Sequence, residues 1–139
     1  MDQPVNVTKP RLPIVLIIDD NPAIRDMVSW ALELDGYEPA EASEGNEALA
    51  WIDNATREGR FPSVILLDLA MPGMDGPTFL SELRLNWKID QPFPAIVIIT
   101  AAHTLPDSIT PGSPDIAQVV VKPFHVRHLL DMIHQLMLP

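Results

Sequence analysis

Five side chains spaced along the chain could do chemistry together: Asp19, Asp20, Asp68, Thr100 and Lys122. Each follows an apolar run: Ile14-Val15-Leu16-Ile17-Ile18 before the Asp pair, Ile65-Leu66-Leu67 before Asp68, Ala95-Ile96-Val97-Ile98-Ile99 before Thr100, and Val119-Val120-Val121 before Lys122. A buried parallel strand is apolar on both faces, so the first polar residue marks where it leaves the core. All five therefore belong at the carboxyl ends of strands. Three ionised carboxylates about 5 Å apart repel by roughly 3 kcal/mol per pair at an effective dielectric near 20. Lys122 offsets one of the three charges, and a divalent cation would balance the other two. An all-oxygen set with few protein ligands suits Mg²⁺, and Mn²⁺ would also fit. A metal with open positions beside a carboxylate, an ammonium and a hydroxyl is an arrangement for phosphoryl transfer. In it Asp68 is the nucleophile, forming an aspartyl phosphate. Thr100 and the backbone amide of Ala101 donate hydrogen bonds to the phosphoryl group.

The elements that must deliver these residues follow from periodicity. Residues 1–12 form a flexible leader without apolar periodicity, and residues 13–139 form one domain. The first strand covers about Ile14 to Ile18. A helix from Pro22 to about Leu34 follows, with Asn21 as N-cap and Pro22 in the first turn. Its inner stripe is Ile24, Met27, Val28, Ala31 and Leu32. Tyr37 to Ala42 is an edge strand, where Pro39 is tolerable. The second helix places Ala48, Trp51, Ile52 and Ala55 on one stripe. Val64 to Leu67 is the third strand, and a helix from about Gly76 to Lys88 buries Phe79, Leu80, Leu83 and Trp87. Ala95 to Ile99 is the fourth strand.

Between Ala101 and Gln118 a fourth helix is due, yet Pro106, Pro111, Gly112 and Pro114 lie there. Interior proline costs about 3 kcal/mol each, so this helix should be short or irregular. Val119 to Val121 is the fifth strand. The last helix turns Val126, Leu129, Leu130, Ile133, Leu136 and Met137 inward. Strands alternating with helices imply an α/β, doubly wound sheet of five parallel strands, for which the common, flavodoxin-like order is 2-1-3-4-5. Its switch point falls between the first and third strands, which bring Asp19, Asp20 and Asp68 to one edge.

The formal net charge is −10, which disfavours direct nucleic-acid binding, since such faces cluster Lys and Arg. There are no cysteines, so neither a disulfide framework nor Cys-ligated zinc is available. The apolar runs fall far short of the ~20 residues of a membrane span. These features point to a soluble, cytoplasmic domain with protein partners.

Together the motifs resemble the receiver domain of two-component response regulators, over about Ile14 to Leu138. They are Asp19-Asp20, Asp68 within Leu-Leu-Asp-Leu-Ala-Met-Pro-Gly-Met-Asp-Gly, Thr100 in Ile-Ile-Thr-Ala, and Lys122-Pro123-Phe124. The resemblance implies a stand-alone regulator, like the single-domain chemotaxis receivers, or one domain of a longer protein. It implies that Asp68 takes phosphate from a histidine kinase or histidine phosphotransfer protein, without the chain being an enzyme in the turnover sense. It also implies that Asp19, Asp20, Asp68 and the Ala70 carbonyl surround Mg²⁺, that Thr100 and Lys122 read the phosphoryl group, and that the Lys122-Pro123 peptide is cis. An unnamed protein target would read the resulting conformational change, and a phosphorylation-dependent homodimer stays open. Receivers usually carry an aromatic switch residue three before the lysine; here it is Val119. Ala70 and Ala102 occupy positions that tune phosphate lifetime in the family.

Two other functions share these residues. One is a magnesium phosphatase working through an aspartyl phosphate, whose usual acid-base Asp two residues after the nucleophile is here Ala70. The other is a pseudo-receiver that docks partners without being phosphorylated. His103 reads as an exposed loop residue, His125 and His128 as helix-surface or capping residues, and Trp30 lies off the inner stripe of the first helix.

Overall fold

The computed structural model describes residues 11–88, 90–101, 105–107, 109 and 115–138. Along the chain lie β1 (Ile14–Ile18), α1 (Pro22–Leu34), β2 (Glu38–Ala42), α2 (Gly45–Arg57), β3 (Val64–Asp68), α3 (Gly76–Asn86), β4 (Ala95–Thr100), β5 (Ile116–Val121) and α4 (Val126–Met137). The five strands pair in parallel in the order β2-β1-β3-β4-β5, the common doubly wound order expected for this alternation.

Side chains alternate across each strand, so the central strands supply two cores. Leu16, Ile18, Ile65, Leu67, Ile96 and Ile98 face α2 and α3, where Ala48, Ile52, Phe79, Leu80 and Leu83 meet them. Val15, Ile17, Val64, Leu66, Val97 and Ile99 face α1 and α4, packing on Val28, Leu32, Leu129, Leu130 and Ile133. At roughly 1.5–3 kcal/mol per buried aliphatic side chain, this double layer is the main driving force holding the strand ends in place. β2 is the weak edge: its strand Glu-Pro-Ala-Glu-Ala is largely half-buried. Among the described residues no helix is long and apolar enough to cross a membrane.

Departures from the periodic reading have local causes. Met27 is exposed, whereas Ser29 is buried because its hydroxyl donates to Glu41 on β2 at 2.9 Å. α3 ends at Asn86, and Trp87 leaves the helix as its half-buried C-cap. There its ring meets Phe61 and Phe93 edge-on, and its indole N–H donates to the Gln91 carbonyl at 3.0 Å. β5 starts at Ile116, three residues before the valine run, with a register shift opposite Ile96/Val97. No helix occurs at Leu105–Asp107 or Ile109, the described part of the segment where a fourth helix was expected. The rest of that segment, with Pro111, Gly112 and Pro114, lies outside the described residues. So do residues 1–10 of the leader, Ala102 and His103.

Candidate functional site

Asp19 directly follows β1, Asp68 ends β3, Thr100 ends β4 and Lys122 directly follows β5. The hydrophobic strands fix their heights, and the parallel register puts them on one edge. Asp68 pairs with Ile99, and Thr100 pairs with Val121. The Lys122 N–H donates to the Thr100 carbonyl at 2.7 Å, which ties those two ends together.

Asp19, Asp68 and Thr100 are almost wholly buried, at 1%, 3% and 3% exposure, a rarity for two carboxylates side by side. Asp20 is exposed. One oxygen from each of Asp19, Asp20 and Asp68 lies within 4.8 Å of the others. The Lys122 ammonium is 3.0 Å from Asp19 Oδ2 and 3.6 Å from Asp68 Oδ2.

Asp19 is held on several sides. Its N–H donates to the Ala42 carbonyl at 3.1 Å, and its Oδ1 accepts from the Asn21 N–H at 2.9 Å. Its Oδ2 is buried and accepts no well-angled hydrogen bond among the described residues, with the Lys122 charge beside it. Asp68 Oδ1 accepts a longer bond, 3.2 Å, from the Ala70 N–H.

Electrostatics follow from this placement. Burial, then the charge of Asp19, pushes the Asp68 carboxyl up to about 6, against the lowering pull of Lys122 and the Ala70 N–H. For Lys122, burial alone would favour the neutral amine, but the close contact of its ammonium with the Asp19 carboxylate, together with the Asp68 charge, outweighs it and raises its pKa.

The structure thus brings together Asp19, Asp20, Asp68 and Lys122, and places Thr100 on the same edge. Ala70 and Ala101 are exposed at the ends of the same two strands. The Lys122-Pro123 peptide is cis, as expected. His125 and His128 are exposed at the start of α4, their rings 5.6 Å apart, and Trp30 is exposed on α1.

The sequence places Gly76 and Gly45 at helix starts, but the close approaches that they and Arg25 make around the site are not written in it. Gly76 opens α3 against the end of β3; a Cβ there would lie 2.7 Å from the Leu69 Cα and 3.0 Å from the Asp68 carbonyl oxygen. Gly45 opens α2 beneath Met74, whose Sδ lies 2.8 Å from where its Cβ would be. Arg25 donates to the Asp19 carbonyl at 2.7 Å and pairs with Glu41. A cation near the amino end of a helix opposes the helix dipole, and that was the available signal for a specific partner.

The chain has counterparts among known proteins. A family model described as the response regulator receiver domain matches residues 15–134. The DNA-binding dual master transcriptional regulator RpaA of Synechocystis is 33% identical over 127 residues, covering 91% of this chain and 49% of that protein. The probable transcriptional regulatory protein TcrX of Mycobacterium tuberculosis is 34% identical over 119 residues, covering 84% of this chain and 46% of its own length. The chain therefore spans about half the length of these relatives.

Among solved structures, a CheY-like receiver domain protein from Methanospirillum hungatei superposes with a TM-score of 0.74 at 30% identity, covering 89% of this chain and 92% of that one. The response regulator TrrA of Thermotoga maritima, solved with Mg²⁺ and BeF, gives 0.70 at 28% identity, covering 91% of this chain and 100% of that one. Sequence match, strand order and backbone likeness agree, and the chain belongs to the family of response regulator receiver domains.

Proposed function

We propose that Asp68 is the phosphoacceptor of this receiver and takes its phosphoryl group from a phosphohistidine of a histidine kinase or phosphotransfer protein. Receiver domains are phosphoacceptor signalling switches that act with such partners. A carboxylate oxygen of Asp68 attacks phosphorus, and a P–O bond forms as the P–N bond to the partner's imidazole breaks. The imidazole leaves with the bonding pair and takes up a proton.

Asp19, Asp20 and Asp68, with the Ala70 carbonyl, would hold Mg²⁺, or Mn²⁺ in its place. The fit rests on oxygen atoms clustered within 4.8 Å, on the buried Asp19 Oδ2 that lacks a well-angled hydrogen bond, and on one ammonium set against three carboxylates. An ion bound there supplies charge neutralisation for the phosphoryl oxygens. Lys122 supplies a second positive charge, and the Thr100 hydroxyl and Ala101 amide supply hydrogen bonds.

The output in this reading is a conformational change at the Thr100 and Lys122 strand ends, read by a protein target in the cytoplasm. The acidic domain itself contacts no nucleic acid. RpaA is described as DNA-binding, but this chain matches only about half of it.

The observation that carries the proposal is the convergence of the three carboxylates with Lys122 at 3.0 and 3.6 Å. The test is incubation with acetyl phosphate and Mg²⁺, read by intact-protein mass spectrometry. The wild-type chain should gain one phosphoryl group and Asp68→Asn none. Labelling that survives Asp68→Asn, or an unlabelled wild-type protein, refutes the assignment; light scattering on the same samples reads dimer formation.

A further inference from the structure

We infer that Arg25, braced by Glu41, is a positioning residue that sets the direction of the Asp19 and Asp20 carboxylates for metal binding; this rests on the metal site proposed above. The Arg25 Nη1 donates to the Asp19 main-chain carbonyl at 2.7 Å. That carbonyl belongs to the peptide plane between Asp19 and Asp20, and such planes are rigid. Fixing its tilt fixes ψ of Asp19 and φ of Asp20, and with them the start of both side chains.

The guanidinium is itself aimed. Its Nε donates to Glu41 Oε1 at 3.3 Å, and the other oxygen of Glu41 accepts from the Ser29 hydroxyl at 2.9 Å. The Arg25 side chain is 19% exposed and that of Glu41 38%, so the guanidinium is partly sheltered while the ion pair still reaches solvent. A planar fork can serve two acceptors at fixed angles, here a carbonyl after β1 and a carboxylate on β2, which a lysine cannot.

With this contact Asp19 is restrained at its N–H by Ala42, at its carbonyl by Arg25 and at Oδ1 by Asn21. Oδ2 is the atom left for the site. The simpler alternative is that Arg25 and Glu41 only staple α1 to β2. The two roles differ in what they predict for metal affinity. A staple changes folding stability alone, whereas groups that orient metal ligands change affinity, commonly by 10–100-fold.

The experiment is isothermal titration of the unphosphorylated full chain with MgCl₂, with circular dichroism to establish that each variant is folded. Arg25→Ala should weaken Mg²⁺ binding about tenfold or more. Arg25→Lys, which retains the charge and helps preserve folding, should weaken it at least about threefold because one ammonium replaces the fork. Ser29→Ala, which cuts the brace without touching the Arg25 contact to Asp19, should lower stability and leave affinity within about twofold.

Wild-type affinity in folded Arg25→Lys and Arg25→Ala overturns the inference and leaves the metal site standing. Equal weakening by Ser29→Ala overturns it too, because affinity would then follow the packing of α1 on β2 and not the Arg25 contact to Asp19. A wild-type chain that shows no Asp68-dependent Mg²⁺ binding defeats both proposals.

Discussion

Asp68→Asn should stabilise the metal-free protein at neutral pH. The carboxyl is 3% exposed, and its pKa is pushed from an ordinary 3.8 to about 6, chiefly by burial and then by the Asp19 charge. Asparagine keeps the shape and can still accept from the Ala70 N–H, so it stands in for the protonated acid. At about 1.36 kcal/mol per pH unit, holding the ionised form costs the native state about 3 kcal/mol. Between pH ~4 and ~6 the native protein binds a proton that the unfolded chain has released, so this group makes stability fall as pH rises through that window and stay level above it. The gap between variant and wild type should be about 3 kcal/mol at pH 7, about half of that at pH 5, and near zero below pH 4. In a domain of this size 3 kcal/mol is roughly 10 °C in Tm.

Urea denaturation in EDTA at a series of pH values measures the gap directly. Adding Mg²⁺ should stabilise the wild type and shrink the gap, since a ligand of the native state alone stabilises it by mass action. A gap at pH 7 below about 1 kcal/mol, or one that widens as pH falls, would refute the claim that Asp68 is strained by burial and like charge.

Lys122→Ala removes the main charge holding the Asp68 carboxyl down, so carbonyl NMR should find its midpoint above the wild-type value of about 6. Acetyl phosphate should still label this variant, with the shift at Thr100 diminished in amide spectra. Gly76→Ala should cost about 1–3 kcal/mol in urea, because its Cβ would strike the main chain of Leu69 and nothing there can swing away. Gly45→Ala meets the flexible end of Met74 instead and should cost less, about 1 kcal/mol or under. Trp30→Ala should leave stability within about 0.5 kcal/mol, because the ring is 67% exposed; a loss above 1 kcal/mol in denaturation would show that it covers part of the core.

The strand ends were legible because the apolar run of a buried parallel strand stops at its carboxyl end: Asp19, Asp68, Thr100 and Lys122 are those stops, although the first three are still buried there. The start of β5 was not legible, since Ala117 and Gln118 carry no apolar signal and are held by pairing with β4 across a register shift. Trp87 has helical spacing but leaves the helix to meet Phe61 and Phe93, contacts that no local pattern records. Ser29, off the expected stripe, is buried where Glu41 arrives from β2 and accepts its hydroxyl, a contact the helical period of α1 does not record. Long-range partners decide these cases, and periodicity carries no information about them.

The two buried carboxylates are held differently, and that difference bears on which one reacts. Asp19 accepts at 2.9 Å on Oδ1 and faces the ammonium at 3.0 Å on Oδ2, with both its main-chain groups bonded as well. Asp68 accepts at 3.2 Å on Oδ1 and sees the ammonium at 3.6 Å on Oδ2. Both oxygens of Asp19 lie closer to a donor or a cation than those of Asp68, and moving either toward phosphorus would give up those contacts. The looser carboxylate can move, and its proton affinity is raised by burial and then by the Asp19 charge. Asp20 is exposed and remains hydrated. Rigid Asp19 therefore suits a fixed ligand and loosely held Asp68 the acceptor. An Asp19→Asn chain should accordingly lose Mg²⁺ affinity in titration with MgCl₂, and any phosphoryl group it still takes up should disappear in the double variant with Asp68→Asn.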